Sequence, residues 1–235
     1  MGMEGKLRQV SEFELASYRK TPAKLYSDLM AKYQSGNFTK FITMTQEFQE
    51  SPLIKRIQQR AASGLPPLQE DLDVLRKQQE ALLSENQEAV DEVQSDLMGL
   101  SKDGLQLSLY KDWHMLHFLL TGKSWEAVDS PLGQAIMGGI EIPDVQNVMG
   151  YGPARYLSPS IVREVAGALD GFPIEEKVDS FDPQAAEAAK VYPRMHGMKQ
   201  LQKDEKEGLI HYFHLLRDFY RDAAAKGHAM LLWVE

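Results

Sequence analysis

Two histidine pairs are the first residues in this chain whose type and spacing could do chemistry. His114 and His117 stand three apart, as do His211 and His214. On a helix that spacing puts the two rings of a pair on neighbouring positions of one face. Two such pairs facing each other would offer four ring nitrogens to a metal ion. The spacing lacks the added Glu of the helix-borne zinc motifs. Trp113 on one side and Phe118-Leu119-Leu120 on the other also make the first pair part of an apolar helix. Neutral histidines bonded inside a core are therefore the expectation, with no metal and no other cofactor.

A second set lies around Tyr151-Gly152-Pro153-Ala154-Arg155-Tyr156. Gly supplies a permissive backbone and Pro fixes φ, so the dipeptide forces a turn. Tyr151, Arg155 and Tyr156 would then project from a rigid corner between a loop and a helix. Arg155 has the fork geometry to bind a carboxylate or phosphate. The competing expectation is an ion pair with Glu141 or Asp144 that staples the loop. Together with Trp113, His114 and His117, these three residues form the candidate ligand-binding set. No candidate catalytic residue emerges. The nucleophile elbow, the phosphate-binding loop and the His-Glu-x-x-His pattern are all missing. With no cysteine there is no thiolate chemistry, and the composition fits a reducing cytoplasm.

The elements that must position these residues can be read from periodicity and punctuation. Lys6 to Val10 reads as a strand, and Ser11 followed by Glu14 has the spacing of a capping box. Thr21-Pro22 opens a second helix to about Tyr33, and Phe38 to Ile57 carries a mixed helical pattern. Leu105 to Leu109 alternates as a half-buried strand. A helix follows from Tyr110 or Lys111 to Leu120, stopped by Thr121-Gly122. Trp125 and Leu132 to Met137 belong to a further helical segment, and Ile140 to Ile142 is a short strand. Helices are expected from Pro159 to about Leu169, at Pro173 to Val178, at Pro183 to Lys190, and from about Lys203 to Lys226 before Gly227. Ala229 to Val234 reads as a strand buried on both faces. Strands alternating with helices argue an α/β or α+β fold.

The net charge of −8 is concentrated in one place: between Pro66 and Met98 nine acids face only Arg76 and Lys77. Within this arm Leu68, Leu72, Leu75, Leu82, Ala89 and Val93 follow a heptad rhythm, with Gln79 and Asn86 at the skipped positions. Such a seam packs against the chain's own helices, against another copy or on a foreign protein, so a homo-oligomer through Leu68–Val93 stays open. A near-neutral body with one acidic arm is a poor nucleic-acid binder and a suitable docking surface for a basic protein. Asp73, Glu80, Glu85, Glu88, Asp91 and Glu92 are the candidate partner-binding residues. The opening residues hold no apolar stretch of signal-peptide length, and no run is long enough to span a bilayer, so the expectation is a soluble cytoplasmic protein without membrane contact.

The stretch Lys111 to Gly122, with its Trp-His-x-Leu-His core, and the stretch Tyr151 to Pro159 together resemble the signature of the YfbM-like family. Met1-Gly2-Met3, Gly133 to Gly139, Ile142, Val191-Tyr192-Pro193 and Leu215 to Leu232 add to the likeness. It covers about the first thirty residues and Gly104 to the end. The resemblance implies one domain over residues 1–235, a three-layer α/β sandwich, with the acidic helical region of residues 35–103 as an insertion. It implies no catalytic residues. The functional expectation is a bacterial protein-binding protein without catalysis, of the immunity or antitoxin type in which an acidic protein covers a basic toxin. The alternative is a small-molecule binder or enzyme with its pocket around His114, His117, Tyr151 and Arg155.

Overall fold

A computed structural model describes residues 2–33, 36–87, 89–91, 95, 99–101, 103–126, 128–143, 150–193 and 199–235. The fold is α/β, helices combined with one five-stranded antiparallel sheet. The chain forms two compact units, one of Met1–Ser27 with Gly99–Glu235 and one of Asp28–Met98.

The first unit holds the sheet: β1 (Gly5–Val10), β2 (Gln106–Tyr110), β3 (Ile140–Glu141), β4 (Arg155–Leu157) and β5 (Ala229–Val234), in the order β2-β1-β5-β4-β3. Its helices are α1 (Glu12–Lys20), α6 (Trp113–Thr121), α7 (Pro131–Met137), α8 (Pro159–Asp170), α9 (Ile174–Asp179), α10 (Pro183–Ala188) and α11 (Lys203–Lys226). Between α1 and α6 in the sequence come α2 (Pro22–Tyr33), α3 (Gly36–Gln49), α4 (Pro52–Ala62) and α5 (Gln69–Glu85). Local chemistry accounts for several boundaries. Ser11 and Glu14 form the reciprocal capping box at the start of α1, with Ser11 N–H donating to Glu14 Oε2 at 2.8 Å and Glu14 N–H donating to Ser11 Oγ at 3.2 Å. Gly122 and Gly227 end α6 and α11 in the left-handed conformation, φ +68° and +66°.

Strand alternation gives the sheet two different faces. Leu7, Leu107, Leu109, Leu157, Met230 and Leu232 join one core with Trp113 and Leu116 of α6, Val162 and Val165 of α8, and Phe213 and Tyr220 of α11. Tyr220 is fully buried, which pushes its ionisation far up, and its hydroxyl donates to Ala135 O of α7 at 2.8 Å. Replacing Tyr220 by Phe leaves the Ala135 carbonyl without that donor, and we expect urea denaturation to show a loss of about 1–3 kcal/mol. The opposite face carries Lys6, Arg8, Val10, Leu231, Trp233 and Tyr156, and Arg19 of α1 reaches it.

Two expectations for this unit need correction. Arg155 and Tyr156 do not stand at a loop-to-helix corner: they belong to β4, held extended by pairing with Leu232 and Leu231 of β5. Trp125 lies in the loop between α6 and α7, outside any helix.

In the second unit the Phe38 to Ile57 region resolves into α3 and α4, broken where Ser51 caps a helix with Pro52 in its first turn. The acidic arm becomes α5, which packs along α4. Its seam residues Leu72, Leu75 and Leu82 are half-buried and Ala89 is buried, whereas Leu68 is exposed; Val93 lies outside the described residues. Among the described residues the fully buried ones are few, Leu29, Met44, Ala89 and the carboxylate of Asp71. Leu65, Leu68, Val74 and Leu83 of this unit are exposed. No helix among the described residues is long and apolar enough to cross a membrane.

Candidate functional site

The histidine pair of α6 is fully buried. The Tyr192 backbone N–H donates to His114 Nδ1 at 3.0 Å, so that nitrogen carries no proton. The remaining proton sits on Nε2, which donates to Ser124 Oγ at 3.0 Å. The tautomer thus follows from a backbone amide that can only donate. Trp113 stacks on the imidazole with centroids 4.6 Å apart and planes 9° from parallel, and Trp125 closes the other side edge-on at 4.3 Å. Burial pushes the His114 pKa down to about 4, against a smaller opposing contribution from Ser124. Both ring nitrogens are in use and the ring is neutral. Such a histidine ties the Ser124 turn to the segment at Tyr192.

His117 differs. Its two ring nitrogens are buried and form no hydrogen bond among the described residues. Burial again lowers its pKa, while the backbone and carboxylate of Glu126 pull the other way. The second pair lies elsewhere: His211 is exposed, and His214 Nε2 is 3.6 Å from Glu175 Oε1 at the surface of α9. Among the described residues no three His, Asp or Glu side chains are grouped so as to hold a metal ion.

Arg155 projects on the core side of β4. Its Nη1 donates to Met137 O at the end of α7 at 3.0 Å, and its Nη2 lies 3.5 Å from Glu141 Oε1 on the neighbouring strand. Asp144, the other acid considered for it, lies outside the described residues. Tyr156, one position on, points to the opposite face, where the Arg19 guanidinium sits 5.1 Å from its ring centroid. Tyr151 is 63% exposed. The structure therefore brings Trp113, His114 and His117 together, and separates them from Arg155 by strand position and from Tyr156 by the sheet itself. The residues completing the histidine cluster are Ser124, Trp125, Glu126 and Tyr192. They are long-range partners with no local signal in the sequence.

On the second unit an open groove of about 350 Å³ runs between α3 and α5. Met44, Glu47 and Phe48 line one side; Gln78, Ala81, Leu82 and Glu85 line the other. Each wall is a helical stripe at spacings of three and four. Of the acids expected to face a partner, Asp73, Glu80 and Glu85 are exposed on α5, Asp91 is half-buried and accepts from Gln87 Nε2 at 2.7 Å, and Glu88 and Glu92 lie outside the described residues. Asp71 is the exception within the arm. It is buried at 1% exposure and paired with Arg56 of α4, so it holds two helices together.

Comparison with known proteins agrees with the two sequence stretches. No curated protein matches the chain. Among solved structures it is similar to the crystal structure of YfbM from Escherichia coli, a protein of unknown function, with 21% identity over 65% of this chain and 92% of that one and a TM-score of 0.47. The model of a family described as a domain of unknown function, DUF1877, matches residues 1–233, and the chain belongs to that family.

Proposed function

We propose that the protein acts by binding another protein, without catalysis, and that its helical unit receives a basic amphipathic helix in the groove between α3 and α5. The observation that carries this reading is the composition of that groove. Met44, Phe48, Ala81 and Leu82 give it an apolar lining and Glu47 and Glu85 give it an acidic one, with Glu80 exposed on the same helix as Glu85. A helix presenting apolar residues at i, i+3 and i+4 with Lys or Arg beside them matches this pattern in both shape and charge. An immunity or antitoxin role, in which an acidic protein covers a basic toxin, fits the same surface. Further support comes from the sheet unit, where His114 and Arg155 are each held by the chain's own groups.

The test uses a synthetic Lys/Leu amphipathic helical peptide and host lysate in parallel. Exposed carboxylates contribute about 0.2–1 kcal/mol each to a charged contact. A Glu47→Gln, Glu80→Gln, Glu85→Gln variant should therefore bind the peptide roughly tenfold more weakly and with a flatter salt dependence. A basic protein retained from lysate by the unmodified chain should be lost by the variant. Equal peptide affinity and the same salt dependence in both proteins would sink the reading. A second copy of the chain on the groove would appear instead as a concentration-dependent mass that the peptide displaces.

A further inference from the structure

We infer that two copies of this chain pair through the outer flank of α5, antiparallel about a two-fold axis, on the flank turned away from the groove. α5 carries two different stripes. Val74, Gln78, Ala81 and Glu85 are spaced by four, three and four and fall on one flank, which includes the groove wall. The N-cap residue Leu68 with Leu72, Gln79 and Leu83 is spaced by four, seven and four and falls on another, about a third of a turn round the helix. Leu68 and Leu83 are each 37% exposed, Gln79 is exposed and Leu72 is half-buried, so this second stripe stays open to solvent.

Two features of the stripe select a second copy as its occupant. The first is charge. The arm from Pro66 to Met98 sets nine acids against Arg76 and Lys77, yet none of the four stripe positions is charged. A basic partner gains no ion pair from such a strip, whereas two acidic copies can meet there without burying a carboxylate. The second is symmetry. A two-fold interface between identical chains must be self-complementary. The spacing of four, seven and four reads the same in both directions. An antiparallel pair therefore sets Leu68 against Leu83 of the second copy and Leu72 against its Gln79, and both contacts recur across the axis. Opposed helix dipoles favour that direction over the parallel one. Asp73, Arg76 and Glu80 are exposed beside the stripe, and the two-fold brings them to one edge in both copies. Two acids against one base on each copy leave a net repulsion there, so pairing should strengthen as salt screens it. A basic peptide in the groove shows the opposite salt dependence, so the two readings fail separately.

Sedimentation equilibrium of the full chain should show monomer and dimer in exchange. The balance should shift to dimer as sodium chloride is raised, and an added Lys/Leu helical peptide should leave the dimer in place. Leu83→Glu puts a good helix former at an exposed position, so it should weaken the dimer by about tenfold or more with circular dichroism unchanged. Gln79→Leu should tighten it. The chain has no cysteine, so single cysteine replacements report proximity cleanly. A mixture of Leu68→Cys and Leu83→Cys chains, treated with a short bis-maleimide, should cross-link one variant to the other. Neither variant alone should cross-link, nor should Ala81→Cys on the groove wall. A mass that stays monomeric up to about 1 mM overturns the inference. So does an undiminished dimer in Leu83→Glu, or a cross-link formed within any single variant.

Discussion

Replacing Trp113 by Ala is expected to destabilise the protein by about 3–5 kcal/mol, the range for removing a large aromatic side chain from a packed core. Trp113 is fully buried at the first position of α6. Its indole N–H donates to Met3 O at 3.3 Å, its ring stacks on His114, and Trp125 meets it edge-on at 5.6 Å. The space it fills is shaped for it by Gly5 on β1: a Cβ on Gly5 would lie 2.4 Å from Trp113 Cβ and 2.7 Å from Cγ. Few routes of collapse are open to the resulting cavity, because strand β1 is pinned by β2 and β5 on its two edges. Urea denaturation followed by far-UV circular dichroism measures the loss. The contact with Gly5 supplies an internal control. Gly5→Ala should be damaging in the native background and only partly relieved beside Trp113→Ala, since alanine keeps the Cβ at 2.4 Å and removes only the ring atoms from 2.7 Å outward. A loss below about 1 kcal/mol for Trp113→Ala, or additive effects in the pair, would remove Trp113 from the centre of this core.

Much of the scaffold was legible because its signals are local. The capping box at Ser11 and Glu14, the glycine stops at Gly122 and Gly227, and the broad apolar face of α11 each depend on residues within a few positions. Strand β4 was not legible. Arg155-Tyr156-Leu157 is too short to show alternation, and its extended backbone is imposed by Leu231 and Leu232 at the far end of the chain. Trp125 was misplaced for a related reason: an aromatic residue read as helical core belongs to a loop whose conformation serves His114. The histidines of α6 were readable as buried from their apolar surroundings, but their partners were not, since Ser124 lies 10 residues away and Tyr192 lies 78 away. Arg8 shows the same limit: its Nε and Nη1 are buried without an acceptor among the described residues, which the strand pattern of Lys6 to Val10 gives no sign of.

Stability should fall as the pH drops from about 6.5 to about 4, before most carboxylates titrate. The sign follows from proton counting. His114 in the unfolded chain takes up a proton near 6.5, whereas burial holds it unprotonated in the folded chain down to about 4. Between those values the unfolded state binds more protons, so its contribution to stability is complete above 6.5 and is lost progressively on acidification. The span corresponds to about 3 kcal/mol at the lower end. His117 is shifted in the same direction by the same cause and deepens the loss. Glu14 and Asp222 have lowered pKa values, so they also lose stability on acidification, but starting only near their unfolded values of 4.5 and 3.8. Asp112 is raised by burial and acts with the opposite sign, gaining stability as the pH falls. Over the interval from about 6.5 to about 4.5 the histidines dominate the loss. Urea midpoints across that interval should slide downward in the native chain and flatten in His114→Gln, whose side chain keeps a donor and an acceptor without titrating. A level profile in the native chain, or an undiminished slope in the variant, would contradict the buried neutral ring. The structural consequence is specific. A proton added to Nδ1 would face the Tyr192 N–H, two donors meeting where one acceptor is needed, and the tie between the segment at Tyr192 and α6 would open.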